Sequence, residues 1–193
     1  MKRIGILGGT FNPIHIGHLA IAQAAKEALN LDKVIFVPAH QSPHKNNDGL
    51  IAGEFRYDMV RLAVSGNTAF NVSDFEIKRP EKSYSILMLE HFKKLYPKGA
   101  KFFFIIGADM LGKLHTWHRI NEILKLADFV AISRKGFEKA RTKIRVKNIS
   151  TLDLGLSSTY IRQQIKNGKS VQYLVPDKVI NYIKTKHLYR KRG

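Results

Sequence analysis

The chain has 193 residues, 44% of them hydrophobic and 25% charged, a balance that suits one globular domain with a real core. It contains no cysteine, which excludes a disulfide scaffold, a thiolate zinc site and a cysteine nucleophile. The net charge of +18 admits a nucleic-acid-binding surface or a nucleotide enzyme with a basic exterior, while the absence of a signal peptide and of any apolar run near 18 residues predicts a soluble, cytoplasmic protein.

The first 40 residues predict one β-loop-α-β unit, the building block of a parallel sheet. A buried strand is predicted over residues 3–7, and Gly8 and Gly9 stop it. Small and apolar residues then recur at helical spacing over 18–30, which predicts a helix, and a second buried strand is predicted over 33–38. A polar loop follows.

Strands continue to alternate with helices along the rest of the chain, which predicts a doubly wound α/β domain with a mostly parallel sheet. We expect a single domain over residues 1–193, in which a helical C-terminal part from about 155 to 193 either caps the sheet or forms a small subdomain. Further strands are predicted at 70–77, 101–107, 128–134 and 143–151, and further helices at 52–66, 83–97, 119–127, 157–168 and 176–189.

The stretch GGTFNPIHIGH, residues 8–18, joins the first strand to the first helix. In an open α/β sheet, ligands bind at the carboxyl ends of the strands. Glycines there let a ligand approach the backbone amides, and a helix N-terminus adds partial positive charge. A phosphate group therefore suits this position, although neither the P-loop nor the G-x-G-x-x-G spacing is present.

His15 and His18 are three residues apart, which places both imidazoles on one face near the helix N-terminus. One interpretation is a helix cap beside a packed core histidine. A zinc site is the second, but no third ligand stands nearby and no H-E-x-x-H pattern occurs. The third, hydrogen bonding to phosphoryl oxygens, is favoured because the glycines and the helix dipole predict the same ligand.

The stretch GGTFNPIHIGHL resembles the G-G-[ST]-F-[DN]-P-[IP]-H-x-G-H signature of the nucleotidyltransferase superfamily. Within it, the chain resembles the bacterial nicotinate-nucleotide adenylyltransferases. The resemblance implies a Rossmann-like nucleotidyltransferase fold and adenylyl transfer from ATP to nicotinate mononucleotide, giving deamido-NAD and pyrophosphate in NAD biosynthesis. Further segments match in order at 37–45, 83–89, 105–124 and 157–183, so that the likeness covers nearly the full length.

The resemblance also implies how ATP is bound. His15 and His18 contact its phosphates, with His18 nearest to the α-phosphoryl oxygens, and Lys45 and Arg162 supply further positive charge for catalysis. Asp109, after the phenylalanine-rich strand, accepts hydrogen bonds from ribose hydroxyls. The implied ATP-binding residues are Gly8, Gly9, Thr10, Phe11, His15, His18, Gly107, Asp109, Ser158, Thr159, Ile161 and Arg162.

For the acceptor, the family stacks a tryptophan on the pyridine ring, here Trp117, and binds the nicotinate carboxylate through a hydroxyl and main-chain amides. Ser85 stands where the family usually has threonine, His118 where it often has an aromatic residue, and Asn12 where aspartate is commoner. Mg²⁺ is expected to be held by ATP and water, and no metal-ligating side chain is predicted. The implied nicotinate mononucleotide-binding residues are His44, Lys45, Ser85, Asp109, Trp117 and His118.

Other functions stay open at this point. The acceptor could be nicotinamide mononucleotide or pantetheine phosphate, although enzymes for the latter usually have threonine in place of the first histidine. The charge permits a basic nucleic-acid-binding module, but aromatic residues do not alternate with the basic ones. A class I aminoacyl-tRNA synthetase fragment lacks support, since no K-M-S-K-S-like loop occurs. We therefore expect ATP and nicotinate mononucleotide as partners, rather than a nucleic acid or a membrane; a homo-oligomer is compatible with the sequence.

Overall fold

A computed structural model of the protein describes residues 1–41, 49–79, 83–134, 144–151 and 154–190. Its described strands form one parallel sheet in the order β3-β2-β1-β4-β5-β6, the doubly wound arrangement predicted from the sequence. The strands are β1 Arg3–Gly9, β2 Lys33–Pro38, β3 Phe70–Val72, β4 Lys101–Gly107, β5 Asp128–Arg134 and β6 Val146–Thr151. The helices are α1 Ile16–Ala28, α2 Gly53–Val64, α3 Ser85–Leu95, α4 Ile120–Leu126, α5 Ser158–Lys166 and α6 Asp177–Thr185, with a 3₁₀ helix at Ala108–Thr116.

Helices cover both faces of the sheet, and this explains why its central strands are continuously apolar. In β4, Phe103 and Ile105 face one core cluster, which α1, α2, α5 and α6 complete. Phe102, Phe104 and Ile106 face the other, which α3 and α4 complete. Because successive side chains of a strand point to opposite faces, a strand buried on both sides must be apolar at every position.

The C-terminal helices pack into the first of these two clusters. Ile161 of α5, Val179 and Ile183 of α6 are buried together with Leu7 and Phe36 of the sheet. This packing brings α5 against the connection between β1 and α1, far away in the sequence. The polar side chains in the first turn of α5 therefore lie at the same edge of the sheet as the residues that follow β1.

Several elements differ from those predicted. The strand expected at 70–77 is ordered as β3 only over Phe70–Val72, and α1 begins at Ile16 rather than at residue 18. The 3₁₀ helix Ala108–Thr116 was not predicted, because it has only two buried residues, Leu111 and Leu114, which are too few to show a helical repeat. Within the part of the chain that the structure describes, no helix has the length and apolarity to cross a membrane.

Candidate active site

A cavity of about 750 Å³ opens at the carboxyl ends of β1 and β4, where the strand order reverses. Its size falls in the range of small-molecule sites, roughly 300–1,000 Å³. Gly9, His18 and Arg162 line it together although they lie far apart in the sequence. Ser85, Asp109 and Trp117 also line it. The cavity therefore brings the amides, imidazoles and guanidinium predicted from the sequence to one place.

The first wall is the backbone that leaves β1. Phe11 has a positive φ of 48°, and its ring, 1% exposed, folds back over Gly9. A Cβ built on Gly9 would lie 2.8 Å from that ring, closer than such contacts occur. The same ring meets His18 edge-on, with centroids 5.0 Å apart. Glycine at position 9 thus leaves space for the Phe11 ring, which packs against the His18 ring.

His15 and His18 lie side by side, with ring centroids 3.8 Å apart. His15 is the N-cap of α1, and its main-chain N–H donates to Nδ1 of His18 at 3.2 Å. Nδ1 of His18 is therefore an acceptor, which places the proton of the neutral ring on Nε2. That N–H is the group with which His18 can bind an anion at the N-terminus of α1.

The glycine inside H-x-G-H has a steric reason. A Cβ built on Gly17 would lie 3.0 Å from Nδ1 of His15 and 3.8 Å from Cβ of Leu156. The second distance is an ordinary contact, but the first is tighter than most, so a side chain there would push the His15 ring aside by a few tenths of an ångström. Gly17 thus leaves room for the His15 ring beside His18.

The first turn of α5 forms the wall opposite α1. Ser157 caps the helix, since its Oγ accepts from the N–H of Tyr160. Ser158 Oγ donates to the carbonyl of Pro13 at 2.8 Å, and Arg162 Nη1 donates to the carbonyl of Asn12 at 2.9 Å. The second terminal nitrogen of Arg162, Nη2, donates to Oγ1 of Thr159 at 3.3 Å. These bonds fix a cation beside the loop that follows β1.

Asp109 lies at the rim of the cavity, in the first turn of the 3₁₀ helix after β4. It is exposed, and its carboxylate folds back over Gly107, where a Cβ would overlap Oδ1. Glycine at the end of β4 therefore determines where this carboxylate can lie. An exposed carboxylate in this place can accept hydrogen bonds from hydroxyl groups of a ligand.

Aromatic and hydroxyl groups line a further part of the cavity. Trp117 packs edge-on against Phe104 and Phe129, with centroids 5.6 and 5.7 Å apart, so that it belongs to the core and the cavity wall at once. The rings of Tyr84 and His118 lie 4.7 Å apart. Ser85, the first residue of α3, lies beside Tyr84 and places a hydroxyl at a helix N-terminus, a favourable position for a carboxylate.

Two buried polar residues of this region were missed in the sequence. Arg56 is 1% exposed and donates to four main-chain carbonyls. The sequence pattern already indicated that Arg56 is buried, since it lies on the same face of the helix as the buried Met59 and Val60. Glu76 lines the cavity at 9% exposure, and burial raises its pKa to about 7 against opposing effects of a hydrogen bond from Ser83 and the charge of Arg56.

Asn12 and Tyr189 form a third feature that the sequence did not indicate. The Tyr189 hydroxyl donates to Oδ1 of Asn12 at 2.7 Å, and Nδ2 of Asn12 donates to the carbonyl of Gly49 at 2.9 Å. The buried Asn12 amide thus connects the loop after β1 with the chain's C-terminal segment and with the segment before α2. Burial raises the pKa of the Tyr189 phenol far above its ordinary value, which keeps it a donor.

Most of the predicted site residues line the cavity, including Gly8, Thr10, His15, Ser158, Thr159 and His118. Ile161 does not: its side chain is fully buried in the core beneath α5. His44 and Lys45 lie outside the described residues. Among the residues that are described, no three His, Asp or Glu side chains are grouped so as to hold a metal ion.

Residues 6–164 match a family model described as cytidylyltransferase-like. A Lactiplantibacillus plantarum protein named "Probable nicotinate-nucleotide adenylyltransferase" is 44% identical over 190 residues, which cover 98% of this chain and 89% of the relative. An Opitutus terrae protein of the same name is 43% identical over 192 residues, which cover 97% and 98%. The Plasmodium falciparum nicotinic acid mononucleotide adenylyltransferase, solved in complex with NaAD, has the same fold, with a TM-score of 0.78 at 20% identity over 98% of both chains.

Proposed function

The chain belongs to the cytidylyltransferase-like family and, within it, to the nicotinate-nucleotide adenylyltransferases, and we propose that it transfers the adenylyl group of ATP to nicotinate mononucleotide. The products are deamido-NAD and pyrophosphate, and the reaction is a step of NAD biosynthesis. The relatives support this substrate pair, since they match nearly the whole chain at more than 40% identity.

The reaction needs no covalent intermediate with the protein. A phosphate oxygen of the mononucleotide attacks the α-phosphorus of ATP, and the bond from that phosphorus to the oxygen bridging to the β-phosphate breaks as pyrophosphate leaves. Both reactants are anions, so the protein must hold them in line against repulsion and stabilise the charge that develops on the phosphoryl oxygens.

In our proposal, the phosphates of ATP lie between the N-termini of α1 and α5. His18 donates from Nε2 to an α-phosphoryl oxygen, and His15 holds the His18 ring through the main-chain bond to Nδ1. Arg162, anchored on the carbonyl of Asn12, directs its remaining donors to the triphosphate. Asp109 accepts from the ribose hydroxyls, and Lys45 adds positive charge from its loop.

We assign the nicotinate carboxylate to the N-terminus of α3. There the hydroxyl of Ser85 and the first-turn amides can bind a carboxylate, which the helix dipole stabilises over a neutral amide. Trp117 provides a flat apolar surface for the pyridine ring, and His118 and His44 border the same ligand. This assignment predicts a preference for nicotinate over nicotinamide mononucleotide.

The metal enters as part of the substrate in this proposal. ATP is expected to arrive as its Mg²⁺ complex, because Mg²⁺ retains several waters and is usually bound through substrate phosphates and few carboxylates. The cavity fits such a substrate, since its described lining combines phosphate-binding donors with the single carboxylates Asp109 and Glu76 rather than with a carboxylate cluster.

One observation carries the proposal: Gly9, His18 and Arg162 line the same cavity as Ser85 and Trp117. The test measures pyrophosphate release from ATP and Mg²⁺ with nicotinate mononucleotide, with nicotinamide mononucleotide, with pantetheine phosphate and without acceptor. We expect the nicotinate compound to give the highest kcat/KM and the reaction without acceptor to give no sustained release. Faster turnover of either alternative acceptor would contradict the assignment.

A further inference from the structure

Arg56 is a charged side chain in the middle of a buried helix face. Its guanidinium donates to the carbonyls of Ile51 at 3.1 Å, Thr10 at 2.8 Å, Ala39 at 2.6 Å and His40 at 3.1 Å. Burial lowers its pKa from the ordinary value, as expected for a cation taken out of water. Charge burial is costly, and here the cost is offset by the four carbonyls, which an apolar residue would leave without this donor.

The carbonyls that Arg56 binds belong to different loops. Thr10 is in the loop after β1, which faces the phosphates of ATP in the proposed function. Ala39 and His40 directly follow β2, and they precede His44 and Lys45 in the sequence, which the proposed function assigns to nicotinate mononucleotide. Nη1 alone donates to both Thr10 and Ala39, so one nitrogen joins the two loops. A planar guanidinium, with five donors in fixed directions, sets the distance between them.

His40 is held from its other side as well. Its N–H donates to Oγ of Ser83 at 2.9 Å, while its carbonyl accepts from Nη2 of Arg56. Ser83 and the buried Glu76 line the same cavity. Ser83 lies two residues before Ser85, the proposed carboxylate-binding residue at the N-terminus of α3. The contacts thus run from the ATP loop through Arg56 and His40 to the acceptor region.

We propose that Arg56 is a positioning residue for adenylyl transfer, whose guanidinium holds Thr10, in the ATP-binding loop after β1, at a set distance from Ala39 and His40 after β2, which connect through Ser83 to the acceptor region. This inference rests on the proposed function. Because an in-line reaction requires both phosphates in near-attack geometry, a small change in the distance between the two loops lowers the rate even when each substrate still binds alone.

The test compares Arg56→Met and Arg56→Lys with Arg61→Met. Arg61 lies on the same helix, is largely exposed and contacts only Asp58 at 3.4 Å among the contacts described, so its variant controls for the loss of one arginine from α2. Thermal unfolding establishes the temperature at which each variant is folded. At that temperature, kcat and both KM values are measured, and calorimetry gives the Kd of ATP alone and of nicotinate mononucleotide alone.

We expect Arg56→Met to lower kcat by about 10- to 100-fold, the loss that follows a misplacement on the order of 1 Å, with each separate Kd changed less than about threefold. Arg56→Lys should recover part of kcat, since an ammonium keeps the charge and some donors but cannot reach both loops with the same geometry. Arg61→Met should match the wild type.

Three results would overturn the inference. The first is a folded Arg56→Met with the same kcat as Arg61→Met. The second is a loss of kcat matched by an equal weakening of the Kd for ATP measured without acceptor, and the third is failure of both Arg56 variants to fold. The last would assign Arg56 to folding rather than to positioning. A wild-type protein that releases no pyrophosphate with nicotinate mononucleotide would instead contradict the proposed function, a result separate from the ratio between variant and wild type.

Discussion

The main-chain N–H of His15 donates to Nδ1 of His18 at 3.2 Å, and the two rings lie 3.8 Å apart. The short spacing of the motif has a specific consequence here: the N-cap residue of α1 determines which nitrogen of the following histidine carries the proton. With Nδ1 accepting, Nε2 donates. In a transfer between two anions, a donor oriented in advance costs no reorganisation when charge develops on the phosphoryl group.

Replacing His18 tests this donor. We expect His18→Ala to lower kcat by at least about a hundredfold, because it removes a transition-state hydrogen bond without emptying the core. His18→Gln should retain more activity, since its amide nitrogen can lie near the position of Nε2. Steady-state kinetics and circular dichroism of both variants provide the measurement. A folded His18→Ala with near-normal kcat would refute the role.

Gly107 tests the position of Asp109. A Cβ at Gly107 would overlap the Asp109 carboxylate, so Gly107→Ala should displace it and raise the KM for ATP by about tenfold, the loss expected for one charge-assisted hydrogen bond. Gly112→Ala, in the same 3₁₀ helix, meets no atom within 4 Å and is the matched control. Equal KM values for the two variants would remove Asp109 from the nucleotide site.

Arg162 tests the wall formed by α5. Arg162→Gln should lower kcat/KM for ATP by about 10- to 100-fold, since a charge-assisted contact to phosphate is worth roughly 1.5–3 kcal/mol. Lys166→Gln removes a positive charge from the last turn of the same helix and serves as the control. If both variants respond alike, and if added salt abolishes the difference from wild type, the effect is one of general charge rather than of a phosphate contact.

Ser85 tests the choice of acceptor. Ser85→Ala should reduce the ratio of kcat/KM for nicotinate over nicotinamide mononucleotide by about tenfold, because a hydroxyl donor to the carboxylate is lost while the helix N-terminus remains. Ser85→Thr keeps the hydroxyl and should preserve the ratio. Competition between the two mononucleotides measures it directly. An unchanged ratio in Ser85→Ala would place the nicotinate carboxylate elsewhere.

Glu76 tests the cost of a buried acid. Its pKa is raised from 4.5 to about 7, so the unfolded chain loses this proton more readily than the folded one, and the free energy of unfolding falls as the pH rises between these values. The full penalty, roughly 3 kcal/mol, applies above pH 7. Glu76→Gln should therefore stabilise the protein more at pH 8 than at pH 5 in urea denaturation. Glu54→Gln, at an exposed carboxylate of α2, is the control. If Glu76→Gln raised the free energy of unfolding equally at both pH values, burial of the Glu76 charge would not explain its effect.

The sequence pattern alone was enough to predict the order of strands and helices and the position of the glycine-containing loop after β1. Apolar runs such as 101–107 identify strands buried on both faces, and a parallel sheet built from them puts the residues after β1 and β4 at one edge. The spacing of His15 and His18 likewise predicted their proximity, because the geometry of a helix turn depends only on neighbouring residues.

The contacts that hold the site together were decided by tertiary structure alone. Arg56 reaches Thr10 across 46 residues, Arg162 reaches Asn12 across 150, and Tyr189 reaches Asn12 across 177. Periodicity describes which face of an element is buried, but not which loop carbonyl a buried cation will meet, since that depends on how separate elements pack. Long-range hydrogen bonds to main-chain atoms leave no pattern in the partner's sequence, because every residue type carries the same carbonyl.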